Sequence, residues 1–162
     1  SRVDEGTCVI ISLPFNIVKK VESKPQDSMP KLKDFAGCRI LVAEDNNINM
    51  EIISELLTMN GLEVLPASNG KEAVELFESS EDGSISMVLM DMQMPEMDGC
   101  EAAEAIRALP REDALKVPIL ALTGNSGSDD VERAMAAGMN DFMVKPVQMK
   151  LLAQMMSAYL QR

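Results

Sequence analysis

From Arg39 onward the chain alternates short apolar runs with longer stretches in which apolar residues recur every three or four positions. The runs "RILVA", "LEVLPA", "ISMVLMD", "VPILALT" and "NDFMV" have the length and side chains of buried strands. Between them, "NINMEIISELLTMNG" places Ile48, Ile52, Ile53, Leu56 and Leu57 on one expected helical face and closes on Gly61, where a terminating glycine belongs. "NGKEAVELFESS" predicts a second helix, "CEAAEAIRALP" a third stopped by Pro110, "DDVERAMAAG" a fourth ending at Gly138, and "VQMKLLAQMMSAYL" a fifth. Strand and helix thus alternate five times, the pattern of βα units wound around a parallel sheet.

Right-handed crossovers turn such a pattern into an α/β three-layer sandwich, a doubly wound parallel sheet for which we expect the flavodoxin-like order 2-1-3-4-5. Upstream, "GTCVIISLPFNIVKK" reads as one strand ending at Pro14, and "VESKPQDSMPKLKD" is charged, proline-punctuated and aperiodic. The expected organisation is an isolated strand in residues 1–18, a linker over 19–36 and a compact domain over 37–162.

Charge and composition narrow the chemistry. With 162 residues, 46% of them hydrophobic, the chain can bury a full core. No apolar run approaches the roughly 20 residues of a bilayer helix, and no basic segment precedes a signal-like stretch, so a soluble cytoplasmic domain is expected, with no direct membrane contact of its own. A net charge of −11 argues against a nucleic-acid partner, which requires a basic face. Cys8, Cys38 and Cys100 are few, scattered and odd in number, a poor basis for disulfides or zinc. The sequence contains no histidine, which removes the commonest general base and any phosphohistidine from this chain. The fourteen methionines, dense between Met87 and Met97, are expected to fill the core.

What remains is carboxylates, hydroxyls and lysine, and these stand where the strands end. Glu44 and Asp45 follow the first strand, Asp91 ends the third, Thr123 ends the fourth, and Lys145-Pro146 follows the fifth. Glu44 and Asp45 sit side by side although like charges repel, and neither is expected to hide in a core. If strands one and three are neighbours, three carboxylates converge on one rim, where a hard cation such as Mg²⁺ would relieve their repulsion. Asp91, alone at the tip of the central strand, is the natural nucleophile toward a phosphoryl group, with Lys145 and the Thr123 hydroxyl facing the incoming oxygens. Pro95 and Gly99 in "DMQMPEMDG" would turn the following loop tightly, and Gly124 would leave space for the group to enter.

In that order "ILVAEDNNIN", "VLMDMQMPEMDG", "ILALTGN" and "DFMVKP" resemble the receiver domain of two-component response regulators, from about Gly37 to Tyr159. The resemblance implies that Asp91 is the phosphoacceptor. It implies that Glu44, Asp45, Asp91 and the backbone carbonyl of Gln93 hold Mg²⁺, and that Thr123 and Lys145 bind the phosphoryl oxygens. The Lys145–Pro146 bond would be cis. Thr123 and Phe142 would act as a switch, and the loop after strand four with the fourth helix would form the output surface. Phe142 as a plain core residue is an equal reading. Two departures stand out: Glu44 replaces the commoner aspartate, and Phe142 has no hydroxyl. Gln93 and Asn125 fall where the family varies to tune phosphate lifetime.

"EGTCVIISLPF" resembles the last strand of the ATP-binding domain of histidine kinases, so the chain reads as the C-terminal piece of a hybrid histidine kinase whose parent is membrane-anchored or soluble. The implied partners are a histidine kinase phosphodonor domain, expected in the same parent chain, and a histidine phosphotransfer protein. With no histidine and no DNA-binding extension after Arg162, donor and next acceptor are expected elsewhere. Two competing readings are a Mg²⁺-dependent phosphohydrolase with an aspartyl-phosphate intermediate and a phosphate-independent pseudo-receiver. Gln93 stands where such hydrolases carry a second aspartate, and a pseudo-receiver would be expected to have lost one of Asp45, Asp91, Thr123 or Lys145.

Overall fold

The computed structural model describes residues 30–124 and 128–160; residues 1–18 with their expected strand, residues 19–29 of the linker and Asn125 lie outside them. Five strands form one sheet: β1 (Arg39–Ala43), β2 (Glu63–Ala67), β3 (Met87–Asp91), β4 (Ile119–Thr123) and β5 (Asp141–Val144), all parallel, in the order β2-β1-β3-β4-β5. Around it lie α1 (Asn47–Thr58), α2 (Gly70–Ser79), α3 (Gly99–Ala108), α4 (Glu112–Lys116), α5 (Ser128–Ala136) and α6 (Met149–Leu160). The flavodoxin-like sandwich expected from the pattern is the observed fold.

The layers follow from the two-residue period of a strand. On β1, Ile40 and Val42 point to the side covered by Ile53 and Leu57 of α1 and by Leu152 and Met156 of α6. Leu41 and Ala43 point to the other side, against Phe77 of α2 and Ile106 of α3. β3 and β4 are buried at every position, as central parallel strands covered on both faces must be. Met87 and Met90 are fully buried on opposite faces of β3, so the methionine-rich stretch does fill the core here.

Three features differ from the pattern-based expectation. The end of the expected linker is part of the fold: Leu32–Phe35 forms a 3₁₀ turn whose Leu32 and Phe35 are buried in the same cluster as α1 and α6. An additional short helix, α4, follows Pro110. Its first turn carries Glu112 and Asp113 and its last turn Lys116, charges suited to the helix ends, and it buries only Ala114. Arg107 fastens this region, donating hydrogen bonds to the carbonyls of Val117 and Gly138 and to Asn140 Oδ1 at 2.8–2.9 Å.

The third difference concerns α1. Only Ile53 and Leu57 of its apolar residues are buried; Ile48 is 68% and Ile52 51% exposed, and Leu56 is half-buried. At about 100° per residue, positions 48, 52 and 56 form one stripe, while 53 and 57 form another turned by one residue step. The sheet covers the second stripe and leaves the first beside the carboxyl ends of the strands. Asn46 fixes the helix start, its Oδ1 accepting from the backbone N–H groups of Ile48 and Asn49 at 3.0 and 3.2 Å. Among the described residues, no helix is long and apolar enough to cross a membrane, and Cys38 and Cys100 are free thiols.

The split of α1 predicts unequal costs for truncation. Leu57→Ala should lower the unfolding free energy by about 2–5 kcal/mol. Ile48→Ala should change it by no more than about 0.5 kcal/mol. Urea unfolding of the two variants beside the parent protein measures both; similar losses would put Ile48 in the core.

Candidate functional site: a carboxylate cleft at the strand ends

The parallel sheet brings the strand ends to one rim. β1 stops at Ala43, whose successor Glu44 still bonds β2 through its backbone N–H to Ala67 O at 3.0 Å. β3 ends in Asp91 and the adjacent β4 in Thr123, both buried; Lys145, one residue past β5, is fixed by its backbone N–H to Thr123 O at 2.8 Å. Glu44, Asp45, Asp91, Gln93, Thr123 and Lys145 all line one cleft of about 380 Å³. One carboxylate oxygen from each of Glu44, Asp45 and Asp91 lies within 4.8 Å of the others.

The expectation that neither acid of the pair could hide is overturned for Glu44, which is 2% exposed, whereas Asp45 is open to solvent. The burial is possible because partners reach it. Lys145 Nζ stands 2.6 Å from Glu44 Oε2 and 2.6 Å from Asp91 Oδ2, joining two strand ends through one cation. Glu44 Oε1 accepts from the side-chain amide of Asn49 at 2.8 Å. Glu44 Oε2 is met by the Lys145 ammonium and, among the described residues, by no other hydrogen-bond donor. An oxygen in that condition, next to two more carboxylates, is a donor set fitted to a hard cation.

Asp91 shows the competition between burial and charge. Burial pushes its carboxyl above the ordinary value, against the downward pull of Lys145 and of the Gln93 backbone N–H, which donates to Oδ1 at 3.3 Å. For Lys145, burial pulls the ammonium down, but its bonds to Asp91 and Glu44 outweigh that and hold it above its usual value. Each group is poised by the other.

The loop after Asp91 is held from behind. Met92 N–H donates to Leu122 O at 3.1 Å and Gly99 N–H to Met92 O at 3.2 Å, bending residues 92–98 back onto β3. At Gly99 an added Cβ would lie 2.2 Å from the carbonyl oxygen of Asp91, so no other residue lets α3 start there. Asp98 caps that helix, accepting from Glu101 N–H at 2.9 Å while Glu101 returns the bond to Asp98 N–H. At Gly124, by contrast, no atom of the described residues lies within 4 Å of where a Cβ would stand.

The structure therefore gathers Glu44, Asp45, Asp91, Gln93, Thr123 and Lys145, and the Lys145–Pro146 peptide is cis as expected. Phe142 does not enter the cleft; half-buried, it packs on the cluster beneath α2, α3 and α5. Four residues lining the cleft, Asn46, Asn49, Met92 and Asp130, are not among the site residues expected from the sequence. Asp130, in the first turn of α5, lines it, but nothing in "SDDVERAMA" separates that acid from ordinary helix-start charge. Asn49 was visible in "EDNNIN", yet a polar residue inside a helix carries no pointer to its partner.

A doubly wound parallel sheet with a cleft beyond the carboxyl ends of its central strands has the ligand-side arrangement of open α/β folds. The chain belongs to the response regulator receiver domain family, whose sequence pattern it matches over residues 40–157. It is 42% identical over 132 residues, 75% of its length, to hybrid signal transduction histidine kinase B of Dictyostelium discoideum, and spans only 7% of that relative. Among solved structures, the receiver domain of sensor histidine kinase PA1611 from Pseudomonas aeruginosa PAO1, with magnesium coordinated in its active-site cleft, superposes with a TM-score of 0.70 at 35% identity, covering 78% of this chain and all of that one. The receiver domain of Ssk1 from Saccharomyces cerevisiae, solved with the histidine phosphotransfer protein Ypd1, gives 0.66 at 29% identity, covering 81% of this chain and 90% of that one.

The closed back of the site predicts a sharp asymmetry between two glycines. Gly99→Ala should destabilise the fold by about 1–3 kcal/mol or more through the clash with Asp91 O, and Gly124→Ala by less than about 0.5 kcal/mol. Thermal or urea unfolding of both distinguishes them; an unaffected Gly99→Ala protein would show that α3 can shift away from β3.

Proposed function

We propose that Asp91 accepts a phosphoryl group from a phosphohistidine and yields it to a second histidine or to water, within the phosphorelay of a hybrid histidine kinase. The observation that carries the reading is the meeting of Asp91, Glu44, Asp45 and Lys145 Nζ in one cleft at the tip of the central strand. Glu44, Asp45, Asp91 and the backbone carbonyl of Gln93 would hold Mg²⁺, and the ion when bound supplies positive charge against the phosphoryl oxygens. A carboxylate oxygen of Asp91 forms the new bond to phosphorus as the phosphorus–nitrogen bond breaks, and the electron pair departs on the donor imidazole. Lys145 exchanges part of its contact with Asp91 for a phosphoryl oxygen, and the Thr123 hydroxyl donates to another. Thr123 and Phe142 then couple the charge change to the loop after β4 and to α5. Gln93, an exposed amide, takes no proton, which disfavours the phosphohydrolase reading.

The absence of histidine from the sequence supports a donor and a next acceptor outside these 162 residues. We assign the donor to a kinase portion of the same parent, cytoplasmic like this domain, whose ATP-binding domain ends in residues 1–18. The fully retained set of Asp45, Asp91, Thr123 and Lys145 supports phosphate-dependent signalling over a pseudo-receiver.

Incubation with Mg²⁺ and a small acyl phosphate, followed by intact-mass measurement, should give one labile phosphoryl adduct that is lost in Asp91→Asn and without metal. No adduct on the parent protein, with Mg²⁺ still bound, would leave only the phosphate-independent reading.

The exposed stripe of α1 supplies a second test. Ile52 and Leu56 border an apolar groove that shares Glu44, Asn49 and Lys145 with the carboxylate cleft, so a histidine-bearing helix that reaches Asp91 would cover it. Ile48→Asp and Ile52→Asp should slow transfer between this domain and a histidine phosphotransfer protein by about tenfold or more, while phosphorylation by the acyl phosphate stays unchanged. Equal transfer rates would move the partner to another face.

A further inference from the structure

Glu44 is held on both sides, and the two holders differ in kind. Lys145 meets Oε2 but is shared with Asp91, whereas Asn49 serves Oε1 with a directed amide hydrogen bond of 2.8 Å. Asn49 is itself fixed: its backbone N–H is capped by Asn46 Oδ1, so the first turn of α1 carries the side chain back toward the residue five positions earlier. The whole unit is contained in "EDNNIN", in which one asparagine starts the helix and another, within that first turn, secures the acid that precedes it.

We infer that Asn49 is a positioning residue which orients the Glu44 carboxylate so that Oε2 faces Lys145 and the cation cleft. A glutamate has one more rotatable bond than an aspartate, and side-chain freedom of that kind must be frozen for the carboxylate to hold one direction. Burial alone does not choose the direction; the amide does. Without it, the Glu44 carboxylate turns about its last bond, Lys145 loses one of its two anchors beside Asp91, and the carboxylates no longer converge. Partners of this kind, outside the ligand set but bonded to it, commonly change metal affinity by about 10–100-fold.

The inference rests on the Mg²⁺ site proposed above, and one calorimetric experiment separates the two. Mg²⁺ titrations of the parent protein, Asn49→Ala, Glu44→Ala and the double variant give four dissociation constants, with melting temperatures as a control for folding. Asn49→Ala should weaken Mg²⁺ about tenfold, and the same substitution in the Glu44→Ala background should weaken it less than about twofold, because the group it acts through is gone. An unchanged constant in Asn49→Ala would overturn the positioning role while leaving the cation site intact. So would an equal loss in both backgrounds, which would mark Asn49 as acting on the helix or the ion by itself. Failure of the parent protein to bind Mg²⁺ would overturn the cation site and this inference together.

Discussion

The structure depends on one electrostatic constraint: of the hydrogen-bonded neighbours β1 and β3, the first is followed at once by a carboxylate and the second ends in one, and among the described residues Lys145 is the cation that reaches both. Parallel pairing fixes Ala43 opposite Met90, so the residues that follow cannot avoid one another. The repulsion is not removed by distance. It is held in check by an ammonium 2.6 Å from both Glu44 and Asp91, supplied from the far side of β4. The backbone bond from Lys145 to Thr123, the 2-1-3-4-5 order and the placement of β5 beside β4 matter because together they deliver that cation.

Such an arrangement is balanced rather than maximally stable. A partly buried cation serves two of the acids, while the third, Asp45, is open to solvent and adds negative charge to the cleft. The surrounding shell is correspondingly rigid. Central strands buried on both faces, the 92–98 loop bonded to β3 and β4, and the capped start of α3 hold Asp91 in place.

Much of this was legible in the sequence, and the reason is chemical. Five apolar runs separated by amphipathic stretches admit few foldings other than a doubly wound sheet, and acids at strand ends point to the ligand side of such a sheet. The limits were equally physical. Periodicity measured the apolar face of α1 but could not say that the sheet covers only the stripe of Ile53 and Leu57. The rule that charges avoid burial failed at Glu44, because its two partners lie five and about a hundred residues away. Charged, proline-rich composition hid the 3₁₀ turn of Leu32–Phe35, where two apolar side chains suffice to seal the base of the α1–α6 layer. Short α4 fell below the length at which a helical period can be recognised.

The contrast between Gly99 and Gly124 gives the site a direction. Behind Asp91 a carbon added at Gly99 would collide with the Asp91 carbonyl, whereas at Gly124, at the end of β4, no atom of the described residues lies within 4 Å of an added one. The cleft therefore has a closed wall where α3 begins and, among the described residues, an open one at the end of β4.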